Sequence, residues 1–269
     1  MEAVLTLAFS PYFRIMSDPR GFGQQKTGKI VNNFMPPIVP NLAMSGLTKN
    51  EAEIVKNLHA AIIEQRLLSG TRLTEEELSD IFQVSRMRIR RVLLALAHTG
   101  MIELPPGRGA IVARPSAEQA RDIFAARRLL EGQLLERPLV DPSKKNIKSL
   151  HELCKQEDEA ALNEDLVMSI QLSGAFHVGL AKLYGNAVLA EMVTGLVSQT
   201  ALIIAFYQTR IVTCCRSEDH KTILKALEKK EFQQASQKMR EHLQSIENAL
   251  TFDKTSAEHK NLRQILTRS

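Results

Sequence analysis

The chain has 269 residues, 44% of them hydrophobic and 24% charged, with a formal net charge of +5. That balance excludes wholesale disorder, which needs little apolar content. Three cysteines, two of them adjacent (Cys214, Cys215), exclude a disulfide framework and a C-x-x-C metal pair.

The apolar run Ala3–Phe9 follows Glu2 and is too short to span a bilayer. Val188–Tyr207 is broken by Glu191, Ser198 and Gln199 and reads as a buried helix. A cytoplasmic protein without membrane attachment is expected. The mild positive charge suits nucleic acid without requiring it, so the placement of the arginines matters more than their number.

Residues 1–45 join Gly21, Gly23 and Gly28 to Asn32-Asn33, Pro36-Pro37 and Pro40 with little periodicity, which reads as a flexible extension. From there the texture is helical. Ile54, Leu58, Ala61, Ile62 and Leu68 predict an amphipathic helix over Asn50–Leu68, stopped by Ser69-Gly70. Thr74, with Glu77 three residues on, is a capping box opening a short helix to Phe82. Gln83-Val84 makes a tight turn, and Ser85 caps a third helix that runs to Thr99 before Gly100. Met101–Leu104 and Ala110–Ala113 flank Pro105–Gly109 as a hairpin. Three helices followed by a hairpin is the order of a winged helix-turn-helix, here over residues 46–114.

After Arg114-Pro115, helices are predicted at Ser116–Glu136, Ser143–Ala161, Glu164–Leu183, Ala187–Gln208, Ser217–Lys229 and Phe232–Phe252. The fold class is therefore mainly α, with an all-α six-helix bundle over residues 115–255 and a tail at 256–269.

The third helix carries the first chemical signal. Ile89, Val92, Leu93 and Leu96 share the face that packs inward, while Arg86 and Arg90 share an exposed face flanked by Arg88 and Arg91. Four arginines and no acid lie where free backbone N–H groups already favour phosphate. Arginine grips phosphate or the guanine O6/N7 edge with two parallel hydrogen bonds. Arg86 and Arg90 are expected at bases or adjacent phosphates, with Ser85 on the DNA backbone. The hairpin adds Arg108 between two glycines, a wing fit for the minor groove or a phosphate.

The stretch GTRLTEEELSDIFQVSRMRIRRVLLALAHTGMIELPPGRGAIV resembles the DNA-binding domain of GntR-type bacterial regulators. The shared features, in order, are a G-x-R-L opening that holds Arg72, a V-S-R turn, an Arg four residues later and a G-R-G wing. The resemblance implies DNA contacts at Arg86, Arg90, Arg108 and Gly109, and Arg72, Ser85 and Arg88 join them as candidates. Met87-Arg88 stands where Thr-Pro is common, and Arg91 where Glu is usual.

Downstream, ARRLLE (126–131), AFHVGLAKLYGN (175–186), EDHKTILKAL (218–227) and MREHL (239–243) resemble the FadR-like branch, whose FCD bundle binds a small effector. Many members hold a divalent metal through an Asp, a His four residues later and two further His. His177, His220 and His242 match the histidines, and Ser173 takes the place of the acid. By that resemblance the cofactor is Zn²⁺ or Ni²⁺, both suited to imidazole nitrogen.

Three neutral imidazoles leave the metal charge uncompensated, which predicts an anionic effector, typically a carboxylate, at the position Ser173 cannot fill. Arg127 or Arg128 can meet that carboxylate, or can instead form a surface or inter-domain ion pair with Glu131. The resulting expectation is a homodimer on a pseudo-palindromic DNA operator, with the effector acting through Arg114–Gln119. Release of DNA is the commoner outcome in the family. The rival readings are a constitutive DNA binder with a purely dimerising bundle and a three-histidine metal hydrolase.

Overall fold

The computed structural model describes residues 46–107, 109–139, 143–207, 217–252 and 262–266. Helix α1 (Lys49–Ile63) starts at a full capping box, in which Thr48 and Glu51 satisfy each other's backbone N–H groups. It stops short of the expected Leu68. Gln65 adopts φ +55°, and the Leu67 N–H returns to the Ala61 carbonyl, which buries Leu67 in the turn instead of extending the helix.

Strand β1 (Arg72–Leu73) follows, then α2 (Glu75–Phe82), α3 (Arg86–His98), β2 (Ile102–Glu103) and β3 (Ala110–Val112). The expected hairpin is the antiparallel pair β2–β3, but β1 adds to its other edge, giving the order β1-β3-β2. Two residues of strand show no alternation, so only the distant partner makes β1 visible.

Six helices continue: α4 (Ala117–Leu135), α5 (Lys144–Leu162), α6 (Leu166–Lys182), α7 (Ala187–Tyr207), α8 (Ser217–Glu228) and α9 (Phe232–Asn248). They reproduce the predicted set with small shifts at the ends. Helix α4 packs on α9 and α7, α6 lies between α5 and α7, and α8 bridges α5 and α9. Helix α7 is long and apolar enough to cross a membrane, yet more than half of its apolar stretch is buried inside the protein, as befits a core helix.

One apolar core fills the bundle around Phe176, Leu150, Met239 and Leu243. The other does not end with the winged head. It joins Leu58, Ile62, Ile89, Leu96 and Val112 to Phe124 of α4, Leu202–Ile204 of α7 and Ile246 of α9. A short helix, α10 (Leu262–Leu266), lies in the stretch expected to be a tail. It packs on α2, with Leu262 and Ile265 buried in this shared core and the Ile265 carbonyl accepting from Arg66 at 3.2 Å.

Candidate nucleic-acid interface and metal centre

Helix α3 buries Ile89, Val92, Leu93 and Leu96 against α1 and α2 and turns its arginines outward. The turn before it is closed by Gln83 at φ +53° and by the Ser79 hydroxyl donating to the Val84 carbonyl. Ser85 is the cap residue by backbone, but its exposed hydroxyl makes no capping bond. Arg86, Arg88 and Arg90 are all exposed.

Their partners differ. Arg86 pairs with Glu76 of α2 at 2.7 Å, both in solvent, and such exposed pairs are weak and exchangeable. Arg91 is held back by the buried Glu51 carboxylate at 3.2 Å and by the Gly46 carbonyl. Hydrogen bonding from the Thr48 N–H and hydroxyl, against burial and with help from Arg91 and Arg88, holds the Glu51 carboxyl below its usual range.

At the wing, Gly107 and Gly109 take φ of +71° and +75°, a backbone region that other residues enter at a cost. Arg108 lies outside the described residues. Arg72 is exposed on β1 opposite Ile111, and its Nε sits 3.9 Å from where a Cβ on Gly109 would be. The β1–β3 pairing thus places Arg72 beside the wing.

In the bundle, residues from five helices converge. His177 (α6), His220 (α8) and His242 (α9) are buried, with their ligand atoms within 4.8 Å of one another. His220 Nε2 lies 3.3 Å from His177 Nε2 and 3.0 Å from His242 Nε2. Each Nδ1 faces a carboxylate: Glu131 Oε2 at 2.5 Å from His177, Glu157 Oε2 at 2.8 Å from His220 and Asp219 Oδ2 at 3.2 Å from His242. An Nδ1–H donated to each carboxylate leaves bare lone pairs on all three Nε2 atoms. Facing lone pairs repel unless a cation lies between them.

The spacing fits one. Two imidazoles at about 2.0–2.1 Å from a shared ion lie about 2.8–3.4 Å apart for ligand angles near 90–110°. Burial pushes His177 down to about 3 and His242 to about 4, against the pull of Glu131 and Asp219, so both rings are neutral ligands at ordinary pH. The Phe176 ring stacks on His220 at 4.1 Å and fixes its plane.

Sequence reasoning named Glu131 only as a partner for Arg127 or Arg128 and missed Glu157 and Asp219, and with them the charge of the site. Glu131, Glu157 and Asp219 set against Arg127 leave two negative charges, the number a divalent ion neutralises. The charge of a divalent ion held there would therefore be balanced, contrary to the expectation from three neutral imidazoles. A signal existed for two of the acids. Glu157 falls on the apolar stripe Leu150, Leu153, Cys154 and Ala160, and Glu131 on the stripe Phe124, Leu134 and Leu135, where a solvated acid has no place.

Arg127 and Glu131 are each only 3% exposed and pair at 2.6 Å within α4, neither on the surface nor between domains. Burial favours the neutral form of Glu131, but Arg127 and then His177 hold its carboxyl well below the usual range. Arg127 keeps Nη2 buried with no hydrogen-bond partner. Arg128 is turned elsewhere, to Glu247 of α9. Ser173 is buried one turn before His177 on α6 and offers only a neutral hydroxyl. His242 and Asp219 also line a polar depression of about 210 Å³ between α8 and α9. Of the cysteines, Cys154 is buried with its thiol pushed up to about 12, which makes it inert, while Cys214 and Cys215 lie outside the described residues.

Comparison with known proteins identifies both domains. The model of the gntR family of bacterial regulatory proteins matches residues 50–112, and that of the FCD domain matches residues 122–245. The chain belongs to the GntR family, in its FCD branch. It is 28% identical over 229 residues to the Uxu operon regulator of Haemophilus influenzae, covering 75% of this chain and 85% of that protein. It is 24% identical over 200 residues to the HTH-type transcriptional repressor RspR of Escherichia coli, covering 74% and 87%.

The fold matches a GntR transcriptional regulator from Rhodococcus sp. RHA1 at TM-score 0.66 and 22% identity, over 75% of this chain and 97% of that one. It also matches Escherichia coli McbR/YncC at TM-score 0.64 and 18% identity, over 74% and 95%. This GntR protein is a DNA-binding transcription regulator with an effector-binding domain, not an enzyme.

Proposed function

We propose that this regulator controls transcription in the cytoplasm as a homodimer whose two winged heads, residues 46–114, grip a pseudo-palindromic operator. The bundle at 115–255 governs their spacing through a metal-assisted effector site. Arg86, Arg88 and Arg90 of α3 enter the major groove, Ser85 anchors to a phosphate with its uncommitted hydroxyl, and Arg72, Arg108 and Gly109 meet the backbone or minor groove beside it.

His177, His220 and His242 would hold a divalent ion, Zn²⁺ or Ni²⁺, which would supply Lewis acidity toward an effector oxygen. The carrying observation is that His220 Nε2 lies 3.3 Å from His177 Nε2 and 3.0 Å from His242 Nε2, with a carboxylate behind each ring. The anionic effector now rests on Arg127. Its unpartnered buried Nη2 calls for an acceptor, and a carboxylate beside Ser173 would supply one.

Coupling to the head runs through α7, which packs on α6, the helix of His177, and on α1. His59 Nε2 meets Ser198 Oγ at 3.4 Å, a Cβ on Gly100 would strike Gln199 at 2.8 Å, and Tyr207 donates to the Pro115 carbonyl at 2.6 Å. The end of α7 thus touches the head and the linker at Arg114–Gln119 together. An effector that shifts α6 against α7 reaches both.

A thermal-shift screen of small carboxylates with and without divalent metals tests the sensor. Binding should raise the melting temperature only when metal is present. Substoichiometric metal in the purified chain, unchanged by His242→Ala, overturns the metal site.

A further inference from the structure

Helix α3 bears a feature that DNA binding by arginine does not use. Met87, in its first turn, is 66% exposed, and Leu94, two turns on, is 53% exposed. Single exposed apolar side chains are ordinary on a protein surface, so what marks Met87 is its place among the arginines of the first turns of α3. Met87 stands between Arg86 and Arg88 and one turn before Arg90, and Arg90 has no ion-pair partner among the described residues. Leu94 lies about 10 Å further along the axis, beyond the turn that leads into a groove. Arg91, on the same side as Met87, is drawn back to Glu51 and Gly46. Met87 is therefore a single apolar point on a surface otherwise made for phosphates and guanines.

On the major-groove edge of DNA, the apolar group available to such a point is the C5 methyl of thymine. Methionine suits it, being unbranched, polarisable and able to follow the methyl without a fixed rotamer. We propose that Met87 is a specificity-determining residue that reads a thymine methyl in each half-site, beside the base pair contacted by Arg86 or Arg90. The inference rests on the docking of α3 in the major groove proposed above. It concerns sequence choice rather than bulk affinity, since a methyl contact adds nothing to phosphate binding.

The test uses the full-length chain. Operators are selected from a random duplex pool, and each thymine of the consensus is replaced in turn by deoxyuracil, which removes only the C5 methyl. At one thymine per half-site the wild type should lose about fourfold in affinity, the factor one buried methyl supplies. Met87→Ala should bind the thymine and uracil duplexes equally, at the affinity of the wild type for uracil. Its unchanged melting temperature would exclude misfolding.

A wild type indifferent to every uracil substitution overturns the proposal, as does a Met87→Ala chain that keeps the full difference. Arg90→Ala separates this from the docking itself, for it should weaken binding to both duplexes alike. If Arg90→Ala changes neither, α3 is not in the groove and the docking fails along with the methyl reading.

Discussion

The head and the bundle use the same residue types under opposite conditions. In the head Arg86, Arg88 and Arg90 of α3 stand in water, with the weak Arg86–Glu76 pair as their one ion pair among the described residues, so they can trade solvent for DNA phosphates. In the bundle Arg127, Glu131, Glu157 and the three histidines are buried and locked to one another. Each group there sets the protonation and position of the next, and removing one strands its partner. Exposed charge in this protein serves recognition at little cost to folding, whereas buried charge is bound up with folding itself.

The sharpest way to break that contrast is Arg127→Leu. It leaves Glu131 buried without its guanidinium, and a loss of about 3–5 kcal/mol in stability by denaturant unfolding is expected. Operator binding by the fraction that stays folded should hold. The converse change is Arg86→Ala with Arg90→Ala. Operator affinity should fall about a hundredfold at fixed salt, by fluorescence anisotropy, while stability moves by less than about 0.5 kcal/mol. A large stability loss there would erase the distinction.

The shared core gives a smaller effect. Ile265→Ala removes a buried side chain of α10 from the head and should destabilise by about 2 kcal/mol, with earlier proteolytic opening of the head than of the bundle. The smallest concerns pH. Burial holds His59, at the contact between α1 and α7, down to about 4, against 6.5 when unfolded. The unfolded chain therefore takes up a proton at this site first. Stability from this site is full above pH 6.5 and declines as pH falls toward 4. His59→Gln should flatten the part of the stability–pH curve in that window that this residue supplies.

Much of this was legible in the residues. The apolar periods of α1 and α3, the Thr74 hydroxyl cap on the Glu77 N–H, and the glycines of the wing are local signals. Local signals suffice where a helix has one buried stripe and a turn has one allowed backbone. The clustering of arginines on α3 was equally plain, since charge on the outward face follows directly from the inward stripe. That these carboxylates stand behind the histidines is not legible along the chain, although Glu131 and Glu157 interrupt apolar stripes. An acid in a core position announces burial but not its partner, and the partners of these two lie on other helices.

The sequence by itself determined helices α1–α9, their order and the exposed basic face, because periodicity and capping act within a few residues. Only the tertiary structure decided that β1 joins the wing, that α10 returns to the head, and that head and bundle share one core through α7. It also decided the charge of the histidine site. Three imidazoles look neutral along the chain, and the folded bundle sets a carboxylate behind each, because a buried N–H must find an acceptor wherever the fold can supply one.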